Sequence, residues 1–358
     1  MSLFVTELRR LGKRRVTRLM LVLLVLGLAT VATAFSFSSE KLSPVVVAEA
    51  EAKANNDYQS AMTEWKRTIA ECEAAQARGE KTEERYGPNC GKDYQPQPDM
   101  FEAKWYLPYQ FDFRAEFPLF IAVFAASVAL FGFIVGASFV GAEWNTGGMM
   151  NLLLWRPKRL TVLGTKLAAL LTTVFGLTVV LGALWTAAFW LIASQRGSTA
   201  KMTAGVWQSI GLDGLRALGM TLLVAAVGFA LASLGRHTAM ALGAAVGIFA
   251  VSEIGIRIAV AVLGVQFGDR YVLSTYAQSW FLKQAELFDY DTCQFSQGAC
   301  EPATYVVTWQ QSAVVFGVAL VGALAAAFWT MCASGSVVRA RCPATYAMTV
   351  ARMKTTPP

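Results

Sequence analysis

FPLFIAVFAASVALFGFIVGASFVGA, residues 117–142, carries no charged side chain between Glu116 and Glu143. A helix crossing a bilayer needs roughly 20 apolar residues to span ~30 Å at 1.5 Å per residue. In hydrocarbon the backbone N–H and C=O groups must bond within the segment, so a run of this kind reads as a spanning helix. Five further runs resemble it. One extends from Leu19 to Ser39, one from after Lys166 to Gln195 and one from Ala217 to Gly235. Another starts at Thr238 and ends near Gly264, interrupted by Glu253 and Arg257. The last, about Ala313–Met331, lies in the uncharged stretch from Pro302 to Val338. The chain is 55% hydrophobic and only 15% charged, against about 25% charged in a typical soluble domain. The expected fold is all-α: a polytopic membrane protein with six transmembrane helices and a helical external insert.

Charge orients the spans, because Lys and Arg are enriched in cytoplasmic loops. With a cytoplasmic start, the cytoplasmic pieces hold fifteen basic residues and two acids, Glu7 and Glu143, a net +13. The external pieces hold fifteen basic and twenty-one acidic residues, a net −6. With Glu253 and Arg257 cancelling, the total recovers the formal +7. The basic balance is therefore a topology signal rather than a nucleic-acid-binding face. Both termini are expected in the cytoplasm and the chain in the plasma (cytoplasmic) membrane. The first run is longer than the apolar core of a signal peptide, about 7–15 residues, and reads as a retained anchor.

The expected organisation follows. A cytoplasmic amphipathic helix covers 1–18, with Leu3, Phe4, Leu8 and Leu11 on one face and Arg9, Arg10, Lys13 and Arg14 mostly elsewhere. Anionic lipid would attract its basic side. The first span covers 19–39 and the external insert 40–116. Spans two to six occupy 117–338, with a cytoplasmic loop at 141–160 and an external loop at 265–311, part of which could dip back as a broken helix. A cytoplasmic tail covers 339–358. In the insert, Val47, Ala50, Ala54, Tyr58, Ala61, Trp65 and Ile69 recur at spacings of three or four, the stripe of a long amphipathic helix or hairpin. Trp105, Tyr106, Tyr109, Phe111 and Phe113 precede the second span and suit the membrane–water interface. Cys72, Cys90, Cys293 and Cys300 fall outside, where disulfides persist. Local pairs are the simplest of the three connectivities that four cysteines allow. Cys332 and Cys342 are expected as free thiols. With one histidine, His237, and no Cys-x-x-Cys, no metal-ligand cluster is evident.

The loop after the second span reads GAEWNTGGMMNLLLWRPKR, residues 141–159. It leaves the membrane at Glu143, turns at Gly147 and Gly148, and presents Met149, Met150, Leu152, Leu153 and Trp155 before Arg156. An apolar strip on such a loop marks a docking surface; the alternative is a loop lying flat on lipid. The stretch from Phe117 to Leu170 resembles the permease subunits of type-2 ABC exporters. The resemblance rests on Gly141-Ala-Glu-Trp144, the Gly147–Leu154 turn and helix, the Arg156-Pro-Lys-Arg159 exit and Lys166 at the next span. It implies that this loop is a coupling helix seated on an ATPase subunit, with Glu143 at the acid position and Met149, Met150, Leu152, Leu153 and Arg156 in the contact. It also implies a homodimer or paired permease, with ATP and magnesium held by the partner ATPase and no cofactor on this chain. The external insert departs from the smallest members, so no substrate carries over.

The chain lacks a Gly-x-x-x-x-Gly-Lys-Ser/Thr phosphate loop. Glu253 and Arg257, spaced i, i+4, read either as a polar point on a transport path or as an ion pair near the outer interface. Gly132/Gly136 and Gly243/Gly247 allow close helix approach, within one subunit or across a dimer. Ser138 and His237 loosely suggest an intramembrane protease, but nothing marks a base or an oxyanion site. A membrane anchor or sensor with an extracytoplasmic helical domain is the alternative function.

Overall fold

Among the described residues of the computed structural model, six helices are long and apolar enough to cross a membrane, and the chain is an all-α multi-pass membrane protein. The structure describes residues 3–155, 158–289 and 302–333. Arg156, Cys293, Cys300 and the expected tail lie outside these residues, as does the side chain of Leu153. The helices are α1 (Leu3–Lys13), α2 (Arg15–Ser38), α3 (Pro44–Ala77), α4 (Glu83–Tyr86), α5 (Phe113–Asn145), α6 (Gly148–Trp155), α7 (Arg159–Arg196), α8 (Ala204–Gly235), α9 (Thr238–Ala250), α10 (Arg257–Leu263), α11 (Leu273–Leu282) and α12 (Trp309–Ala333). A π-helical turn, Val251–Ile256, joins α9 to α10, so these form one span. Two antiparallel strands, β1 (Gln284–Asp289) and β2 (Ala303–Thr308), pair with Gln284 opposite Thr308.

The helices run past the uncharged stretches. Helix α7 begins before Lys166, and α8 begins well before Ala217 and carries Asp213 and Arg216. A charge does not end a helix; a cap or a left-handed residue does. Thr203 Oγ1 accepts from the Val206 N–H at 3.4 Å to start α8. Gly264, at φ +61°, ends α10.

The chain divides into two units. The first comprises Met1–Val31, Arg114–Ala188 and Lys201–Pro358. Its centre is made by α5 and α8. In the most apolar stretch of α5, 61% of residues are buried, against 6% along the α9–α10 span. Small residues let α5 and α8 approach. A Cβ added at Gly136 would lie 2.7 Å from the Ala225 carbonyl oxygen, and one at Gly228 would lie 2.6 Å from the Phe133 carbonyl oxygen. Helix α7 joins α5 through Trp185, whose Nε1 donates to the Phe120 carbonyl at 3.1 Å and whose ring stacks on Phe124. Gly132/Gly136 thus pack within the chain, whereas nothing lies within 4 Å of a Cβ at Gly243 or Gly247.

The second unit comprises Ala32–Phe113 and Phe189–Ala200. Helix α3 starts cleanly, with Pro44 in its first turn and Ser43 Oγ accepting from the Val46 N–H at 3.3 Å. Ala50, Ala54, Cys72 and Ala75 form its buried side. The Cys72–Cys90 disulfide ties α3 to the 3₁₀ segment Pro88–Tyr94, and Trp65 Nε1 donates to the Gly91 carbonyl at 3.1 Å. The Tyr106 phenol donates to Asp57, whose carboxylate holds the phenol above its ordinary pKa. Phe111 and Phe113, expected as interface rings, are fully buried; Phe111 packs edge-on to Phe189 at 5.5 Å. Trp105 does remain exposed.

Cys332, expected as a free thiol, is disulfide-bonded. The expectation rested on compartment alone, which does not report how close two sulfurs lie.

Two outcomes follow. Gly136→Ala must push on a backbone carbonyl and should cost about 1–3 kcal/mol, whereas Gly243→Ala should change stability by less than ~0.5 kcal/mol. Thermal unfolding of both in one detergent checks this. In the second unit, Cys72→Ser should lower stability by about 2–4 kcal/mol. Peptide mapping without reduction should recover a Cys72–Cys90 cross-link from the wild type.

Candidate functional site

Glu7 is the one acid before Glu40, and Lys166 is the one charged residue between Arg159 and Arg196. The fold joins them. Lys166 Nζ donates to Glu7 Oε2 at 2.8 Å and lies 2.7 Å from Glu143 Oε2. The side chains of Lys166 and Glu7 are fully buried, and that of Glu143 is 12% exposed. Arg14 completes the cluster. Its Nη2 donates to Glu143 Oε1 at 2.8 Å and its Nη1 to the Ser138 carbonyl at 2.9 Å. The Phe139 ring lies under both cations, 5.0 Å from the Arg14 guanidinium carbon and 4.8 Å from Lys166 Nζ. Two carboxylates thus face two cations and the cluster is neutral. Arg10 adds a longer contact, 3.6 Å to Glu7 Oε1.

These four residues come from α1, the α1–α2 junction, the end of α5 and the start of α7. The cluster therefore ties the amino-terminal helix to the segment that leads into α6. Gly147, at φ +70°, makes the turn between α5 and α6. Between α1 and this turn opens a cleft of about 910 Å³, lined by Thr6, Arg9, Arg10, Lys13, Arg14, Glu143, Gly148, Asn151 and Leu152.

The expected docking strip divides on inspection. Met149 is fully buried in its own chain, a correction to its expected place on a partner-facing surface. On a helix only one side can face outward, and the turn at Gly147 points Met149 inward. Met150, at 60% exposure, faces out, and so does Leu154, at 80%, one helical turn later and absent from the expected contact set. Leu152 lines the cleft. Glu143 is held by Arg14 and Lys166 within the chain. Glu143 and Lys166 stand out in the sequence, but no local pattern pairs Lys166 with Glu7. The available signal was Glu7 itself, a lone acid in a basic helix.

Glu253 and Arg257 sit at the break in the fifth span. Glu253 Oε1 accepts from the Ser274 N–H and its Oε2 from the Ser274 hydroxyl, both at 2.8 Å. The Ser252 hydroxyl accepts from the Leu273 N–H at 2.7 Å. The carboxylate therefore caps the start of α11, where orphan amides favour negative charge. Arg257 lies 3.7 Å from Glu253 and 3.8 Å from Asp269, and is half exposed. This geometry matches the ion pair at a helix break. Ser138 Oγ donates to the Val135 carbonyl, while the His237 ring meets Asn145; no hydrogen bond joins Ser138 to His237. Among the described residues no cluster of His, Cys, Asp and Glu is arranged to hold a metal ion.

Compared with known protein families, curated proteins and solved structures, the chain matches none.

Removing one partner of a buried pair leaves an uncompensated charge and commonly costs about 3–5 kcal/mol. Lys166→Ala should therefore lower the unfolding temperature markedly. Arg67→Ala removes an exposed ion pair with Glu71, which solvent screens, and should leave the unfolding temperature almost unchanged. Unfolding both variants side by side, at two salt concentrations, checks the contrast.

Proposed function

We propose that this chain is the transmembrane permease subunit of an ATP-driven ABC exporter, switched between inward and outward access by a separate ATPase subunit. It works as a homodimer or a paired permease in the plasma membrane, with both termini cytoplasmic. ATP and magnesium reside on the partner. The observation that carries the reading is α6, a short helix between the second and third apolar helices that leaves Met150 and Leu154 open on one side. Burying such a side chain is worth roughly 1.5–3 kcal/mol, so a partner that covers both gains a useful fraction of its affinity there. The buried cluster supports the same reading. A push on α6 is carried through the α5–α6 turn to Glu143, and from there to α1 and α7. Nucleotide binding shifts the access equilibrium only as far as the ATPase binds the two states differently.

A second reading, a membrane anchor or sensor with an extracytoplasmic helical domain, draws on the disulfide-stapled second unit. Affinity purification separates the two. Wild type, solubilised gently from its host, should bring down an ATPase. Leu154→Asp should lose it at equal expression, because the contact would bury an unpaired charge. Leu154→Ala should weaken capture by up to about 30-fold, as for a central apolar anchor. If wild type captures no ATPase, the exporter reading fails and the anchor or sensor reading takes its place.

A further inference from the structure

The cleft beside α1 has a chemistry that neither the buried cluster nor the α6 surface uses. Glu143 is already matched by Arg14 and Lys166. The remaining charged lining is Arg9, Arg10 and Lys13, all positive. Arg9 and Lys13 have no hydrogen bond or ion pair among the described residues, and Arg10 reaches only the long contact to Glu7. Three cations thus lie along one wall, and two of them, Arg9 and Lys13, have no acid assigned to them among the described residues. Like charges so arranged repel one another and are stabilised when an anion sits between them. Asn151 on the opposite wall adds a neutral polar group. The volume, about 910 Å³, falls within the ~300–1,000 Å³ of ligand sites.

The geometry points to a site for a phosphate-bearing headgroup, specifically that of an anionic phospholipid. The two guanidiniums suit the choice, since planar donor forks match phosphate oxygens in pairs. The source follows from where the cleft lies in the chain. Helix α1 ends at Lys13 and α2, the first apolar span, starts at Arg15. Val16, Leu19, Val22 and Leu23 on α2 are exposed. A headgroup bound along α1 therefore lies beside the start of an apolar helix surface that acyl chains can cover. A soluble phosphate would use the cations but gain nothing from that surface. The lipid would bridge α1 to Asn151 on α6 without entering the buried cluster.

The test uses the purified full-length chain in neutral detergent at low ionic strength, with no other protein present. Dioleoylphosphatidylglycerol, dioleoylphosphatidylcholine and inorganic phosphate are titrated separately, and bound molecules are counted by native mass spectrometry. The informative variant is Arg9→Gln/Lys13→Gln, which breaks no contact of the fold. Lys41→Gln/Lys81→Gln removes the same charge from the second unit as a control. Phosphatidylglycerol should bind wild type tightly at one site and phosphatidylcholine should not. Each cation near an anionic lipid is worth about a fivefold change in occupancy. The Arg9/Lys13 variant should therefore bind roughly 25-fold more weakly, and the control as wild type. Equal binding of the two lipids overturns the proposal, and so does an equal loss in the control. Competition by inorganic phosphate at the lipid's own potency assigns the cleft to a soluble anion instead. Undiminished lipid binding by the Arg9/Lys13 variant also overturns it.

Discussion

A lysine ammonium with no exposure to solvent is the constraint around which the first unit is arranged. Taking each ion of such a cluster out of water costs several kcal/mol, recovered only when the opposing charges meet in good geometry. Lys166 meets that condition twice, through Glu7 and Glu143, and Arg14 then balances the second carboxylate. The consequence is positional. Residues 7, 14, 143 and 166 must converge to within hydrogen-bonding distance, so α1 has one docking register against the ends of α5 and α7. A one-residue slip along α1 would turn Glu7 about 100° away from Lys166 and leave Lys166 and Arg14 sharing one carboxylate, Glu143. Cation contacts to Phe139 add to the cluster without replacing any of its ion pairs.

The location of the cleft and of α6 follows from that docking. With Glu7 turned inward, Thr6, Arg9, Arg10 and Lys13 are left along the cleft. With Glu143 held, the turn at Gly147 sends α6 off with Met149 inward and Met150 and Leu154 outward. Elsewhere in the unit a different interaction governs. Backbones of α5 and α8 approach through Gly136 and Gly228, where van der Waals contact at backbone distance substitutes for the hydrophobic driving force that lipid cannot supply. The second unit uses the means of a soluble domain: buried alanines on α3, a disulfide and a cluster of phenylalanines around Phe111.

The apolar helices were legible from residue counts, because a bilayer leaves a helix little alternative. The amphipathic helix from Pro44 was legible as well, through its spacing and its cap. Glu143 stood out as a charge at the end of an apolar run. Less was visible where contacts join distant segments. Glu7 and Lys166 are 159 residues apart, and no local pattern links them. The capping of α11 by Glu253 needs the chain to return twenty-one residues later. The β-hairpin in the expected external loop was missed; the Ala303–Thr308 strand carries the β-branched Val and Thr residues that could have signalled it.

The sequence by itself determined that this protein crosses a membrane in six helices, since the period and length of apolar runs answer to the solvent rather than to other parts of the chain. It also marked which loops carry charge and which short segment carries an apolar strip. The tertiary structure decided which of those groups face each other. It placed Lys166 between two acids, turned Met149 away from the surface and exposed Leu154. It assigned Gly132 and Gly136 to an internal contact while leaving Gly243 and Gly247 open. The physical reason is range. Hydropathy acts on each residue through its immediate solvent, whereas ion pairs and close packing act over a few ångströms between residues that only the folded chain brings together.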